Sequence, residues 1–478
     1  MSPLSLVFLI FISSVFIGYW TLRNASLRVQ NSFLLIASYF FYAWGDWRFL
    51  TLLIANSIIT YLLARAIANQ AIPGRKKLLL LLGVVFTVGI LAFFKYYNFF
   101  ADSFVRALSL LGISSNIHTL KLILPLGISY FTFKSLSFMI EVYRGKLSVT
   151  RDVVAYFTYI GFFPQLIAGP IDRPSTLLTQ IETRRQMDLP AIYLGAKQGL
   201  WGLFKKLVVA NALVKIVDPI FADYTSRSGF ELMIGAIFYS IEIYCDFSGY
   251  TDIANGCARI LGFHPIENFT RPYFSRDIGE FWRRWHISLT SWFRDYIFYP
   301  LGGGLISRWK VIRNTLITFT VSGLWHGANW TFVVWGFAHG MLMVPIILGI
   351  QKTHTKKVAH NRMFPKWNDL WQMALTLSLV TALWVVFRAD SITQAVEYLT
   401  RCFTAFDLHL LTSKRDILRS LVVVGAMFIL EWQKREAHTP LDLKFRSRSV
   451  RWLFYTLVLI TILLLGNFNE SAFLYGQF

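Results

Sequence analysis

The sequence contains few charged residues for a chain of its length. Charged side chains make up 15% of the 478 residues, whereas soluble globular proteins carry about 25%. Hydrophobic residues reach 55% and aromatic residues 17%. Apolar stretches long enough to cross about 30 Å of hydrocarbon recur along the chain, without the alternating segments of a membrane barrel. The composition therefore excludes a soluble domain and predicts an all-α polytopic membrane protein.

Cysteine and several common motifs are scarce or missing as well. The three cysteines form an odd set without CxxC spacing, which excludes a disulfide framework and a cysteine zinc site. The sequence has no GxSxG nucleophile elbow, no P-loop and no GxGxxG. It also lacks internal repeats, which many transporters contain. These absences argue against a self-contained Ser-His-Asp hydrolase and against a repeat-built transporter.

Acidic residues are outnumbered by basic ones. The chain has 47 Lys and Arg against 26 Asp and Glu, which gives a net charge of +21. In a membrane protein such an excess collects in cytoplasmic loops and beside anionic lipid headgroups, so membrane lipid is the expected partner and nucleic acid is not. The densest basic cluster lies within 276–313, and 351–369 is also basic. By the positive-inside rule we place 270–313 on the cytoplasmic side.

Apolar runs predict about ten to twelve transmembrane or re-entrant helices. The stretch 161–174 is apolar but is interrupted by Pro164, Gly169 and Pro170. Irregular backbone at membrane depth is tolerated where protein encloses it, so we expect a broken or re-entrant segment here. The helical candidates are 4–20, 32–44, 49–68, 78–100, 122–141, 153–168, 191–217, 230–260, 314–350 (two helices), 371–388, 417–432 and 452–466.

Two histidines stand in aromatic settings. His286 lies within FWRRWHISLTSWFRDYIFYPLGGG (281–304), and His326 lies within SGLWHGANW (322–330). Ionisable groups are expensive in a bilayer, so those present in apolar segments are functional candidates. Histidine is also the side chain best suited to moving protons near neutral pH.

Residues 281–297 have an amphipathic pattern if they form one helix. The rings fall on one half of the circumference, which is typical of a helix lying in the membrane interface. His286 falls at the margin of the ring face, where it points toward protein or lipid. A buried histidine bonded to a backbone carbonyl is the alternative to a functional one. The cations on the opposite face include Arg283, Arg284 and Arg294.

His326 lies between two glycines, with Trp325 and Trp330 nearby. The glycines permit close approach of backbone or substrate. Apolar surroundings disfavour the charged form of histidine, so a neutral His326 can act as a base. A structural histidine bonding across helices is the alternative. His339 falls about 220° farther around a continuous helix, so we expect it to be structural and not to converge with His326.

The segment 241–260 carries charged residues in an apolar context. Glu242 and Asp246 share one helix face, and Asp252 and Arg259 share another. Intramembrane charges usually pair or line a polar cavity. No ExxH ligand pattern accompanies the two acids, so we predict an ion pair or a helix cap rather than a metal site. Asp246 is also a candidate contact for substrate or donor.

Seven segments of the sequence stand in a distinctive order. They are PLGISYFTFKSLSFMIEVYRG (125–145), FFPQLIAGPIDRP (162–174), GLFKK (202–206), YCDFSGYTDIANGCARILGF (244–263), ENFTRPYFSRDIGEFWRRWHISLTSWFRDYIFYPLGGG (267–304), SGLWHGANWTFVVWGFAHG (322–340) and FRAD (387–390). Together they resemble the membrane-bound O-acyltransferase (MBOAT) family, and within it the bacterial branch typified by the alginate O-acetylation membrane protein. The resemblance covers roughly 30–390, and the ending SAFLYGQF (471–478) is similar as well. We therefore expect one integral-membrane domain over 1–478, with C-terminal helices in 391–478.

The resemblance implies a helical bundle around a central tunnel that crosses the membrane. An acyl thioester donor, such as acetyl-coenzyme A, would approach from the cytoplasmic side and the acceptor from the other, with no bound cofactor or metal. His326 matches the nearly invariant histidine of the family, and His286 matches a second histidine of the alginate-type branch. Trp325 and Trp330 would exclude water from the reaction. The face with Arg283, Arg284 and Arg294 would attract donor phosphates.

The function expected from the resemblance is acetyl transfer by a multi-pass protein of the bacterial inner membrane. The acetyl groups would serve O-acetylation of an extracytoplasmic polysaccharide of the alginate type. The polysaccharide would accept them directly or through a periplasmic or exported SGNH-type partner with its own Ser-His-Asp site. Alternatives with the same chemistry are D-alanyl transfer to teichoic acid and peptidoglycan O-acetylation. A polytopic transporter is the alternative of another class.

Overall fold

The structure is a computed structural model that describes residues 1, 3–113, 120, 122–304, 307–355, 358–360, 362–443 and 447–468. These residues form helices and no strands, which confirms the predicted all-α class. The ending 471–478 lies outside the described residues. The α-helices are α1 (Leu6–Thr21), α2 (Leu27–Ala43), α3 (Trp47–Asn69), α4 (Pro73–Leu110), α5 (Ile128–Tyr143), α6 (Val153–Gly161), α7 (Phe163–Leu166), α8 (Pro174–Glu182), α9 (Leu189–Leu203), α10 (Asn211–Ala222), α11 (Gly229–Ile260), α12 (Ile278–Arg284), α13 (Ile287–Phe293), α14 (Arg308–His326), α15 (Trp330–Leu342), α16 (Val344–Ile347), α17 (Trp367–Arg388), α18 (Ile392–Thr404), α19 (Lys414–Gln433) and α20 (Arg448–Leu465). Short 3₁₀ segments lie at Leu22–Asn24 and Pro272–Phe274, and π-helical segments lie at Phe204–Ala210 and Arg294–Phe298.

Several helices have the length and composition of membrane spans. Within the described part of the chain, six helical stretches are apolar enough to cross a bilayer. Other predicted helices are present but are shorter or carry buried charged side chains, as α11 does. The six stretches are Leu6–Asn24, Trp47–Asn69, Pro73–Leu110, Trp330–Ile347, Trp367–Arg388 and Arg448–Leu465.

The predicted region 314–350 is indeed two helices. α14 ends at His326, and α15 starts after Asn329, whose side-chain oxygen accepts a hydrogen bond from the Thr331 N–H at 3.1 Å. This side-chain cap satisfies a donor that the helix itself leaves unpaired. Helix α18 was absent from the predicted set, because its amphipathic sequence contains no long apolar run.

The chain packs as two compact units. The N-terminal unit comprises Met1–Ala196 and Ala254–Ile266, and the C-terminal unit comprises Lys197–Ile253 and Glu267–Phe478. In the N-terminal unit, α3 and α5 pack together and α2 packs on α6 around buried aromatic side chains. The prediction of a single domain over 1–478 stays a prediction.

The segment 161–174 in the N-terminal unit is broken, as predicted. The four-residue helix α7 interrupts it, and every side chain of α7 is buried. The carboxylate of Asp172 accepts hydrogen bonds from the Gln165 side-chain amide and from the Ile266 N–H. Protein groups thus bind the Asp172 carboxylate inside this irregular segment, and irregular backbone at membrane depth is tolerated where protein encloses it.

In the C-terminal unit, buried ion pairs hold α11 against the π-helical segment Phe204–Ala210. Lys206 pairs with Asp246, and each side chain is 1% exposed. The neighbouring Lys205 Nζ lies 2.6 Å from an Asp252 carboxylate oxygen. An ion pair or a helix cap was predicted for Glu242 and Asp246. Asp246 forms the ion pair, and its partner comes from the lysine pair of the GLFKK motif. π-Helical turns are rare and occur frequently at functional sites.

Helices α14 and α15 form a hairpin whose backbones touch at two glycines. A Cβ built on Gly323 would lie 2.2 Å from the Phe332 carbonyl oxygen, and one built on Gly336 would lie 2.3 Å from the Phe319 carbonyl oxygen. Small residues allow membrane helices to approach this closely. The contact fixes the hairpin immediately before His326.

We expect Gly323→Ala to lower the free energy of unfolding by about 1–3 kcal/mol, because the added methyl meets backbone that cannot rotate away. The thermal unfolding midpoint of the detergent-purified protein measures this. Gly425→Ala is the matched control, since a Cβ there has no heavy atom within 4 Å. Equal midpoints for the two variants would contradict the close helix contact.

Removal of one partner of the Lys206–Asp246 pair should destabilise the protein more than removal of both. Lys206→Met is expected to cost about 3–5 kcal/mol, because it leaves a buried carboxylate without its cation. The double variant Lys206→Met/Asp246→Leu should recover most of that loss. Denaturant unfolding of the three proteins measures the coupling, and additive losses would show that the two side chains do not act as a pair.

Candidate active site

His326 is the last residue of α14 and is buried in the C-terminal unit. Its ring centroid lies 4.8 Å from Trp325, 5.0 Å from Trp335 and 5.5 Å from Phe387. The three contacts are edge-to-face, the arrangement that aromatic quadrupoles favour. Rings on three sides thus shield the imidazole from water while the helix end holds it in place.

His286 lies in a break between α12 and α13. Its φ of 41° is left-handed, a conformation that costs a non-glycine residue about 1–3 kcal/mol and occurs often at functional sites. Asn268 secures the break: its carbonyl accepts from the Ile287 N–H at 2.9 Å and its side-chain oxygen from the Ser288 N–H at 3.3 Å. The imidazole is buried, 4.6 Å from the Phe247 ring centroid. A strained backbone conformation and the hydrogen bonds of Asn268 therefore fix the orientation of His286.

Trp325 connects the two histidines. Its ring centroid lies 6.2 Å from that of His286 and 4.8 Å from that of His326, and the indole is buried. The two histidines are 40 residues apart in the sequence, and in the structure both lie beside the Trp325 ring.

His339 was expected to be structural and not to converge with His326, on the assumption of one continuous helix. That assumption was wrong, because the chain turns between α14 and α15. Both imidazoles contact Trp335, with ring centroids 5.0 Å away for His326 and 4.8 Å for His339. His339 is fully buried and also lies against Trp282 at 4.9 Å. His339 therefore belongs to the same aromatic cluster as His326, and the Trp335 ring contacts both.

The expectation of one interfacial helix over 281–297 was also wrong. The chain forms α12 and α13 with a break at Trp285 and His286, followed by a π-helical turn. The ring face packs inside the protein: Trp285 is fully buried and lies 4.9 Å from Trp384. Amphipathic periodicity marks an apolar neighbour but does not distinguish lipid from protein.

A basic cavity of about 440 Å³ lies beside α12 in the C-terminal unit. Its wall includes Phe269, whose ring centroid lies 6.4 Å from that of His286 in a stacked orientation. The cavity is therefore separated from His286 by a single ring. Its ionisable lining residues are Arg271, Arg283, Arg284, Arg435, His354, His438, Glu267, Glu280 and Glu436.

Two of the predicted donor-binding arginines line this cavity and the third does not. Arg283 donates to the Thr353 hydroxyl at 2.9 Å, and Arg284 pairs with Glu280 at 2.5 Å. Arg294 is 55% exposed and pairs with Asp295 at 3.0 Å outside the cavity wall. Arg283 and Arg284 thus line the cavity, whereas Arg294 lies on the surface.

Trp330 and Asp246 were also predicted to contact substrate or donor. Trp330 is 54% exposed at the start of α15. Asp246 is paired with Lys206 on α11. Trp335 and Phe387, which the sequence did not single out, lie against His326. Phe387 belongs to the FRAD segment, so its motif was visible, but its contact with His326 depends on the packing of α15 and α17.

One group of potential metal ligands occurs among the described residues. Ligand atoms of Asp277, Glu280 and His354 lie within 4.8 Å of one another. Protein donors already occupy these carboxylates, since Asp277 accepts from the Glu280 and His354 N–H groups at 2.7 Å each and Glu280 pairs with two arginines. Burial raises the pKa of Asp277, but these hydrogen bonds outweigh it and hold the pKa below its usual range. The group functions as a structural tie between α12 and the 353–354 loop.

The arrangement can perform proton transfer in a site that excludes water. Two buried histidines flank one tryptophan, and a basic cavity reaches the ring beside the first of them. Such a layout suits the reaction of an activated, water-sensitive group that enters from the cavity. The sequence has no GxSxG elbow of a self-contained serine hydrolase.

Comparison with known proteins agrees with this chemistry. The sequence model of the family described as MBOAT, membrane-bound O-acyltransferase family, matches residues 39–387. The chain is similar to the probable alginate O-acetylase AlgI of Pseudomonas syringae pv. tomato, with 38% identity across 87% of this chain and 78% of the relative. The corresponding protein of Pseudomonas putida is 34% identical over 99% of both chains. The peptidoglycan O-acetyltransferase of Helicobacter pylori is 33% identical over 80% of this chain and 76% of the relative.

These matches cover most of the chain and include both histidine segments. The bacterial relatives and the six apolar helices describe a multi-pass protein of the inner membrane. The chain belongs to the membrane-bound O-acyltransferase family.

Proposed function

We propose that this protein transfers acetyl groups from a cytoplasmic acyl thioester, of the acetyl-coenzyme A class, for O-acetylation of an extracytoplasmic polysaccharide. An alginate-type polymer is the first choice of acceptor, because the relatives named as alginate O-acetylases cover up to 99% of this chain. The H. pylori relative makes peptidoglycan the second candidate acceptor.

The observation that carries the proposal is a continuous succession of groups in the C-terminal unit. The basic cavity reaches Phe269, Phe269 stacks on His286, and Trp325 connects His286 to His326. Cations at the cavity favour the phosphates of a coenzyme A thioester, and the rings beyond it favour the acetyl group and exclude water. The cavity lies in the basic segment that we assign to the cytoplasmic side.

His326 is the proposed general base. The acceptor hydroxyl attacks the acetyl carbonyl, His326 accepts the hydroxyl proton, and the thiolate leaves toward the cavity. Water would compete with the hydroxyl, and the rings around His326 keep it away. His286 stacks on Phe269 of the cavity wall, and the donor thioester would arrive at this cavity.

We propose that the acetyl group reaches the polysaccharide through a partner protein. A periplasmic or exported SGNH-type acetyltransferase, with its own Ser-His-Asp site, would receive the acetyl group and pass it to the polymer. The absence of a GxSxG elbow in this chain is consistent with such a division of labour.

We expect His326→Ala to reduce the acetyl ester content of the exported polysaccharide by about a hundredfold or more, since removal of a general base costs about 10²–10⁴ in rate. The measurement is acetyl ester per sugar in polymer from cells with equal membrane levels of each variant. His409→Ala is the matched control, because His409 is exposed and far along the chain from the histidine cluster. Unchanged acetylation in His326→Ala would refute the proposed function, and loss from peptidoglycan instead of exopolysaccharide would select the second acceptor.

Arg283→Glu should raise the apparent KM for acetyl-coenzyme A by about tenfold with little change in kcat, because a charge-assisted hydrogen bond contributes about 1.5–3 kcal/mol. Inner-membrane vesicles with their cytoplasmic face outward and labelled acetyl-coenzyme A provide the assay. Arg294→Glu carries the same charge change outside the cavity wall and should leave KM unchanged. Equal KM values in both variants and the wild type would exclude the cavity as the donor site.

A further inference from the structure

The C-terminal unit contains another cavity, which the proposed reaction does not use. Its volume is about 630 Å³, and it lies between α10, α19 and the end of α20. Its basic lining residues are Lys215 on α10, Arg227 before α11 and Arg419 on α19. Three basic side chains from separate parts of the chain thus converge on one cavity.

This cavity lies toward the opposite face of the membrane from the basic cavity beside α12. Helix α17 is one of the six apolar stretches that can cross a bilayer, and an ion pair lies at each of its ends. Near its start, Asp369 pairs with Arg276 at 3.3 Å, in the basic segment that we assign to the cytoplasmic side. At its end, Arg388 pairs with Asp218 on α10 at 2.9 Å. Pro219, the next residue of α10, lines the cavity, which is therefore extracytoplasmic.

Helix α19 gives the same orientation. Arg419 near its start lines this cavity, whereas Arg435, two residues after its end, lines the basic cavity. The 20 residues of α19 measure about 30 Å, which matches the thickness of the hydrocarbon core. Basic residues normally concentrate on the cytoplasmic side, so the positive-inside rule does not account for those at this cavity.

The cavity lining changes from charged to apolar with depth. On α19, Val423 and Val424 follow Arg419 by about one helical turn. On the opposite wall, Val208 lies about two turns before Lys215, in the π-helical segment that leads into α10. Because α19 begins and α10 ends on the extracytoplasmic side, the valines lie deeper in the membrane than the basic residues do.

Two of the three basic residues are not neutralised by the protein. Arg227 pairs with Glu231 at 2.9 Å. Lys215 and Arg419 are exposed, and neither forms an ion pair with a carboxylate among the residues that the structure describes. Asp416 also lines the cavity but pairs with neither of them. Charge complementarity therefore favours an anion between Lys215 and Arg419.

We propose that this cavity binds an anionic phospholipid of the extracytoplasmic leaflet. The lipid phosphate lies between Lys215 and Arg419, and an acyl chain occupies the depth that the valines line. Charge-assisted hydrogen bonds from ammonium and guanidinium groups suit a phosphate, and basic pockets between transmembrane helices bind lipid head groups. A polysaccharide or a free anion has no apolar chain for the deep part of the cavity, so the polarity of the lining favours a lipid.

The test measures the thermal unfolding midpoint of the purified full-length protein in mixed micelles. Phosphatidylglycerol replaces phosphatidylcholine at constant total lipid, so that the charge of the head group changes while the acyl chains stay the same. A lipid that binds the native state raises the midpoint in a concentration-dependent way, and the titration yields an apparent Kd. We expect phosphatidylglycerol to raise the midpoint and phosphatidylcholine to leave it unchanged.

Variants of exposed residues test the contacts without disturbing the packed interior. Arg419→Gln should raise the apparent Kd for phosphatidylglycerol by about tenfold, as expected for the loss of a charge-assisted hydrogen bond, and Lys215→Gln should act in the same direction. Asp416→Asn should lower the Kd, because it removes negative charge from the cavity wall. Arg415→Gln is the matched control: Arg415 is exposed on α19 but does not line the cavity, so the Kd should stay unchanged.

Each outcome decides for or against the lipid site. A midpoint rise with phosphatidylglycerol that weakens in Arg419→Gln and Lys215→Gln but not in Arg415→Gln establishes it. Equal curves for the two lipids, or the wild-type Kd in Arg419→Gln, overturn it. Glycerol 3-phosphate supplies the phosphate without acyl chains, and an equal midpoint rise with this compound would also overturn a lipid site. None of these measurements involves acetyl transfer, so the result is independent of the proposed function.

Discussion

An unpaired charge in a low-dielectric interior costs a large free energy, and this cost determines how charged side chains are paired in the C-terminal unit. Lys206 and Asp246 are buried together, and neither could remain charged there without the other. Their pairing fixes the π-helical segment against α11, and the adjacent Lys205–Asp252 pair repeats the contact. A hydrophobic pair of similar volume would hold the helices as well, so stability alone does not require these charges.

The same constraint explains how the two histidines are held. His286 lies against the Phe247 ring, and His326 lies against the rings of Trp325 and Trp335. Apolar surroundings of this kind disfavour the charged form of an imidazole. A neutral imidazole remains available as a base, and the rings also keep water from an activated acyl group. The aromatic side chains thus both favour a neutral imidazole and exclude water from the acyl group.

Two features of the backbone position these histidines. The left-handed conformation at His286 turns the chain between α12 and α13, and Asn268 holds that turn through two N–H groups. The glycine contact between α14 and α15 brings Trp325 and His326 toward Trp335. Strain and close backbone approach are tolerated at both places because surrounding aromatic packing holds the helices together.

The sequence by itself determined the class of protein and the segments that matter. Scarce charge and long apolar runs fixed an all-α membrane protein, Pro164 and Pro170 fixed the broken segment, and the motifs around His286 and His326 identified the family and the candidate residues. Only the tertiary structure decided which residues meet. It broke the helix at His286, turned the chain after His326 so that His339 joined the aromatic cluster, and separated Arg294 from Arg283. Local periodicity records which face of a helix avoids water, but the identity of the neighbour on that face depends on residues distant in sequence, and these contacts exist only after the helices pack.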